Sequence, residues 1–170
     1  MQSNRMIPDR LLENFQLNPG LADKILPNLF GLGGVEIETE VLAHESRSIA
    51  TSVRGLSDGK ATRIQIRDAG TVLSPIVERA RAAQLEIFVK IDCEGSEFDI
   101  FDSLNRRGLF GAFRGVLVEW HKWWDATKTQ RDLVSRLLAN GYVVLDRTKM
   151  ADPWAGRFNA IRVGDAVSGT

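Results

Sequence analysis

The stretch Phe88-Val-Lys-Ile-Asp-Cys-Glu-Gly-Ser-Glu97 constrains this chain more than any other. It runs an apolar strand directly into three carboxylates, Asp92, Glu94 and Glu97, with Gly95 and Ser96 between the last two. In open α/β sheets the residues just past the C-terminal end of a strand line the ligand crevice. Gly95 gives the backbone the freedom that a tight strand-to-helix turn needs. Ser96 is placed to cap a helix that begins at Glu97.

The pattern around this stretch is strand and helix in alternation. Residues 86–92 read as a strand and 97–107 as a helix presenting Phe98, Ile100, Phe101 and Leu104. A strand over 115–120 and a helix over 129–140 follow, the helix with apolar Leu133, Val134, Leu137 and Leu138. Gly141 stands where a left-handed helix end is expected. Strands over 142–145 and 158–163 close the chain. Strands joined through amphipathic helices imply parallel pairing, since each crossover needs a helix. The last two have only a loop with Asp152-Pro-Trp154 between them, so they are expected to pair antiparallel as a hairpin at the sheet edge.

Upstream, residues 10–16 read as a short helix with Leu11, Leu12 and Phe15 on one face, and 21–30 as another helical turn. Gly31 to Gly34 reads as a flexible break, and 35–42 as a half-buried strand. Residues 49–54 and 61–68 read as a hairpin around Ser57-Asp-Gly59, with Ile64 and Ile66 facing inward. Ser74-Pro75 is expected to open a helix to about Gln84, with Pro75 at its first position.

At 170 residues the chain fits a single domain, with residues 1–9 as a disordered tail. Its 22 basic and 22 acidic residues balance, so no net positive field draws in nucleic acid or an anionic membrane. No apolar run approaches the ~20 residues of a membrane span, and the polar N-terminus lacks a secretion signal. Cys93 is the one cysteine, which suits a reducing cytoplasm.

The candidate chemistry gathers at two strand ends. Asp92 is the foremost candidate, against the alternative of a carboxylate that caps the next turn. Glu94 and Glu97 flank Gly95 and can face the same cleft, although Glu97 also suits the dipole of a first helical turn. Three carboxylates in one cleft repel, so a cation, Lys90 or His121 has to compensate, or one carboxylate titrates high. Glu119 and His121 lie two apart on one strand and so share a face, the spacing of a metal pair or of a base with its orienting partner. A divalent metal (Mg²⁺, Mn²⁺ or Zn²⁺) would draw on Asp92, Glu94, Glu119 and His121.

Other residues read more plainly. Trp120, Trp123 and Trp124 wall a substrate pocket or plug a core, the second reading being favoured. His44 reads as structural, Lys122 and Lys128 as solvated, and Arg106 and Arg107 as helix-end charges. Cys93 reads as a small buried residue whose acidic neighbours raise its pKa.

Val89-Lys-Ile-Asp-Cys-Glu-Gly-Ser-Glu-Phe98 closely resembles the K-I-D-x-E-G-x-E signature of the FkbM-type methyltransferases. Val116-Leu-Val-Glu-Trp-His121 looks like that family's fifth strand, which ends in Glu-x-His, and Asn140-Gly-Tyr142 fits the start of its sixth. Leu11-Leu-Glu-Asn-Phe-Gln-Leu-Asn18 is similar to the helix after its second strand. The resemblance implies a class I methyltransferase (Rossmann-like) α/β sheet, mostly parallel with an antiparallel C-terminal hairpin. The family's glycine-rich first strand would precede Leu11, where no D-x-G-x-x-G pattern stands, so the sheet is expected in N-terminally truncated form.

The activity implied is S-adenosylmethionine-dependent O-methylation of a hydroxyl on a small molecule such as a sugar or polyketide. Asp92 would bind the cofactor, and Asp92, Glu94, Glu97, Glu119 and His121 would form the catalytic set. The alternative is a non-catalytic truncated domain or partner subunit, with unpaired strand edges favouring a homodimer or a partner chain. A metal-dependent phosphoryl-transfer or hydrolytic domain is a third reading, weakened by the lack of a phosphate-binding loop.

Overall fold

Two mixed sheets with helices packed on them make up the molecule, a computed structural model that describes residues 13, 16–22, 24–43, 60–122, 125–148 and 154–163. After a short helix, α1 (Pro19–Ala22), the first sheet holds β1 (Gly31–Gly33), β2 (Ile37–Ala43) and β3 (Lys60–Asp68) in the order β1-β3-β2. β3 pairs antiparallel with β2, from Ile37 opposite Ile66 to Ala43 opposite Lys60. The strand expected over residues 49–54 lies outside the described residues, as does most of the helix expected over 10–16. Gly31 to Gly33 is no flexible break but a strand parallel to β3. A Cβ on Gly33 would stand 2.8 Å from the Ile66 side chain, so glycine is what admits the close pairing.

Asp68 ends β3 and starts α2 (Ala69–Ala82), well ahead of the start expected at Ser74. Its carboxylate accepts from the Thr71 N–H and the Thr71 hydroxyl, each at 2.8 Å. This cap decides the boundary, and Pro75 falls inside the helix, where it withholds the N–H that Thr71's carbonyl would accept. The Ser74 hydroxyl donates to the Gly70 carbonyl at 2.7 Å in the same stretch.

The second sheet carries the site. It consists of β4 (Ile87–Asp92), β5 (Phe113–His121), β6 (Tyr142–Asp146) and β7 (Ala155–Arg162), in the order β4-β5-β7-β6. α3 (Glu97–Arg106) follows β4 and α4 (Gln130–Ala139) follows β5. β4 and β5 are parallel, whereas β7 runs antiparallel to both β5 and β6. The sheet is therefore mixed rather than mostly parallel. As expected, the last two strands pair antiparallel as a hairpin at the sheet edge, with β6 outermost and β7 beside β5. Buried Phe158 and Ala160 explain why β7 is the inner strand of the two: beside β5 they reach the core.

One face of this sheet is closed. Ile91, Val116, Val118, Trp120, Tyr142, Phe158 and Ala160 pack with Phe98, Ile100, Phe101 and Leu104 of α3 and with Leu133 and Leu137 of α4. The Phe101, Phe110 and Phe113 rings meet at centroid distances of 5.1 and 6.5 Å. Each such ring contributes about 1.5–3 kcal/mol through burial. The Tyr142 hydroxyl lies 2.7 Å from the carbonyls of both Phe110 and Phe113, and burial pushes its pKa up to about 12. The opposite face is open among the described residues, with Phe88, Leu117, Val143, Leu145 and Ile161 all exposed. Strand alternation puts these side chains on the side away from the helices.

Candidate functional site

β4 and β5 end side by side, with Asp92 opposite Glu119 and His121 two residues further on. Between Asp92 and α3 the backbone turns through two left-handed residues, Glu94 at φ 45° and Gly95 at φ 119°. Gly95 takes the conformation its position required. Glu94 is the costly one, at on the order of 1 kcal/mol for a residue with a Cβ. The side chain of Glu97 holds the turn in this shape. It accepts from the Cys93 N–H at 2.9 Å and from the Gly95 N–H at 2.9 Å. Ser96, expected to cap α3, makes no side-chain capping bond, and the Glu97 carboxylate satisfies N–H groups of the turn before the helix instead.

Glu97 does not share an open surface with Glu94, as expected of the pair, but is 0% exposed. Its Oε1 stands 3.2 Å from His121 Nδ1. A carboxylate that already takes two backbone N–H groups acts as acceptor, so Nδ1 is the donor and carries a hydrogen. Nε2 then lies 3.7 Å from Glu94 Oε2 and 4.0 Å from Glu119 Oε1. One oxygen of Asp92, one of Glu94 and a ring nitrogen of His121 lie within 4.8 Å of one another. The ring itself is 4% exposed, so its position is set by packing as well as by Glu97.

The charges follow from this geometry. Burial alone would lower the His121 pKa, but the hydrogen bond and charge of Glu97, with Glu94 and Glu119 behind it, raise it above the ordinary imidazole value. Burial pushes the Glu94 carboxyl up, with Asp92, Glu97 and Glu119 adding to the rise and His121 opposing it. Lys90 Nζ donates to Asp92 at 2.7 Å. Arg157 donates to Glu119 Oε1 at 2.8 Å. The compensation expected from Lys90 and His121 thus has a third member. Arg157 comes from β7, and the sequence signal for it is slight: only the register of β5 against β7 sets it opposite Glu119.

The remaining candidates divide. Trp120 points into the core and donates to Gln130 Oε1 at 3.2 Å, so it lines no pocket. Trp123, Trp124 and His44 lie outside the described residues. Cys93 is exposed rather than buried, although desolvation by packed neighbours, with Glu97 and Asp92, pushes its thiol up. Lys122 and Lys128 are not simply solvated: each ammonium stands 5.9 Å from a ring centre, of Trp154 and Phe98 respectively. Arg106 and Arg107 reach off their helix, to the Gly34 carbonyl at 2.7 Å and the Thr71 hydroxyl at 2.8 Å.

A buried carboxylate that orients an imidazole, whose second nitrogen meets partly exposed carboxylates, can move protons or hold a cation. Among the described residues no helix is long and apolar enough to cross a membrane. No protein-family model, curated protein or solved structure matches this chain.

Proposed function

We propose that this chain is an S-adenosylmethionine-dependent O-methyltransferase domain of FkbM type, acting on a hydroxyl of a small molecule such as a sugar or polyketide in the cytoplasm. The observation that carries the reading is the buried Glu97–His121 pair at the paired ends of β4 and β5. The stretch Val89 to Phe98 supplies the reaction class by resemblance, and the antiparallel β6–β7 hairpin at the sheet edge is in keeping with it.

The chain's own residues suit the acceptor side of the reaction. A hydroxyl in the cleft hydrogen-bonds to His121 Nε2 and passes its proton there as the oxygen attacks. Nδ1–H stays with Glu97, whose carboxylate stabilises the imidazolium that forms. Positioned general bases of this kind contribute about 10²–10⁴ in rate. S-adenosylmethionine supplies the electrophilic methyl group when bound. Asp92, a partly exposed carboxylate at the strand end, fits the hydroxyl or ammonium groups of that molecule as an acceptor. Glu94 and Glu119 bound the acceptor's approach to His121.

Calorimetric titration with S-adenosylmethionine, followed by transfer of a labelled methyl group to a panel of hydroxyl compounds, tests the reading. Binding should be saturable, and H121Q should lower kcat by about 10²–10⁴ with little change in cofactor affinity. A well-folded chain that binds no cofactor would refute it.

One observation favours a second reading, a non-catalytic domain or partner subunit. The open face of the second sheet sets Phe88, Leu117, Val143, Leu145 and Ile161 together, a patch of the kind that marks association. Sedimentation of the purified chain separates the two: this reading expects a dimer or a partner-dependent fold, and a stable active monomer would exclude it.

A further inference from the structure

We propose that Asp92, Glu94 and the Nε2 atom of His121 form a binding site for a divalent first-row metal ion of the Mn²⁺ or Zn²⁺ kind, with Glu97 as the carboxylate that orients the histidine. Two oxygen donors and one imidazole match those ions better than the all-oxygen shells preferred by Ca²⁺ or Mg²⁺. One oxygen of Asp92, one of Glu94 and a ring nitrogen of His121 already lie within 4.8 Å of one another, and Nε2 is 3.7 Å from Glu94 Oε2. Ligands on opposite sides of a ~2.1 Å coordination sphere are ~4.2 Å apart. Side-chain shifts of under about an ångström therefore close a shell around an ion.

The second part of the argument lies behind the ligands. A metal-bound histidine generally gives its other ring N–H to a carboxylate, which fixes tautomer and ring orientation. Here that carboxylate is Glu97, 0% exposed and pinned by the Cys93 and Gly95 N–H groups, so it cannot swing into the cleft. Glu119, grouped with the ligands by strand spacing alone, is drawn off by Arg157 and is left out of the set. Charge points the same way. Asp92, Glu94, Glu97 and Glu119 stand formally against Lys90 and Arg157, which leaves two negative charges for a divalent ion to neutralise.

The site does not depend on methyl transfer. An ion and a proton exclude each other at Nε2, so ion loading is expected to withdraw His121 from proton transfer, and a chain that ignores S-adenosylmethionine can still bind metal. The test is titration of the full chain, freed of metal by a chelator, with MnCl₂ and with ZnCl₂. Manganese binding is read by paramagnetic resonance and zinc binding by the nitrogen NMR shift of His121 Nε2 in an H44N background. Saturable binding at one ion per chain is expected. E94Q should weaken it at least tenfold, and E97Q about 10–100-fold, as loss of a ligand-orienting carboxylate does. C93S should keep wild-type affinity. Circular dichroism melts show whether each variant folds, and the Nε2 shift in H44N with the site residues intact stands independently of the site variants. No binding at millimolar ion, binding that leaves Nε2 unshifted, or binding lost in C93S would each overturn the proposal.

Discussion

Two carboxylates, Asp68 and Glu97, anchor opposite ends of α3, and the contrast between them separates structure from chemistry. Asp68 accepts from Thr71 twice and from the Ser103 hydroxyl at 2.6 Å, with Arg106 and Arg107 each at 3.5 Å. Every partner of that carboxylate is a hydroxyl, a backbone N–H or a permanent cation, and the network runs on through Ser103 to the Gly70 N–H and through Arg106 to the Gly34 carbonyl. Glu97 is the more deeply buried of the two, yet one of its partners is a titratable ring whose other nitrogen approaches Glu94 and Glu119. The lesson is that burial and hydrogen-bond number do not identify a functional carboxylate. What distinguishes it is a partner that can change its own protonation or ligation.

Substitution should split the two networks. D68A removes the α2 cap and strands the buried Ser103 hydroxyl, so a loss of about 2–4 kcal/mol in denaturant unfolding is expected, the largest effect here. His121 titration and ion binding should stay as in the wild type. Disturbance of either by D68A would mean that α3 transmits between its ends. E97Q should cost less, about 1–2 kcal/mol, because an amide keeps the shape and part of the bonding. Its mark is elsewhere: the His121 pKa should fall back toward the ordinary value of 6.5 in NMR titration of the metal-free protein.

The two networks also fail in different pH windows. The Ser103 and Thr71 hydrogen bonds, with Arg107, outweigh burial and hold Asp68 below the ordinary carboxylate value of 3.8. A lowered carboxylate stabilises the fold above its unfolded value, and the contribution fades as pH falls through the folded one. His121 is raised, so its contribution is complete below 6.5 and fades as pH rises through the folded value. Unfolding midpoints of chelator-treated protein across pH should show the acid loss shrink in D68N, with Asp132 and Asp146 carrying the remainder, and the loss around neutral pH shrink in E97Q. The reverse assignment would contradict the geometry.

Much of the second sheet was legible because its signals are local. The apolar run of β4, the Phe98, Ile100, Phe101 and Leu104 face of α3, and the positive φ of Gly95 and Gly141 all depend on near neighbours. The gathering of Asp92, Glu94 and His121 was legible too, since strand ends in a parallel pair meet at one edge. The buried place of Glu97 was not, because its partner His121 lies 24 residues away and only packing of α3 on β5 brings them together. The start of α2 was hidden for a similar reason. Ser103, from another helix, completes the Asp68 cap that overrides the Ser74-Pro75 signal. The β6–β7 hairpin was legible from the helix-free loop between its strands, while the place of β7 beside β5 followed from the burial of Phe158 and Ala160.

The smallest expected effect sharpens the site's edge. Arg157 is mostly exposed, so R157Q should leave the unfolding midpoint unchanged while freeing Glu119 to compete for His121 and for an ion. A modest rise in ion affinity is expected, measured by the same manganese titration.

Most direct is nitrogen NMR of His121 in labelled, metal-free H44N protein, recorded through neutral pH with and without E97Q. The Glu97–Nδ1 hydrogen bond predicts a neutral ring with its hydrogen on Nδ1, a pKa above 6.5, and loss of both features in E97Q. A ring protonated on Nε2, or one that titrates identically in both proteins, would contradict the arrangement on which the proposed chemistry rests.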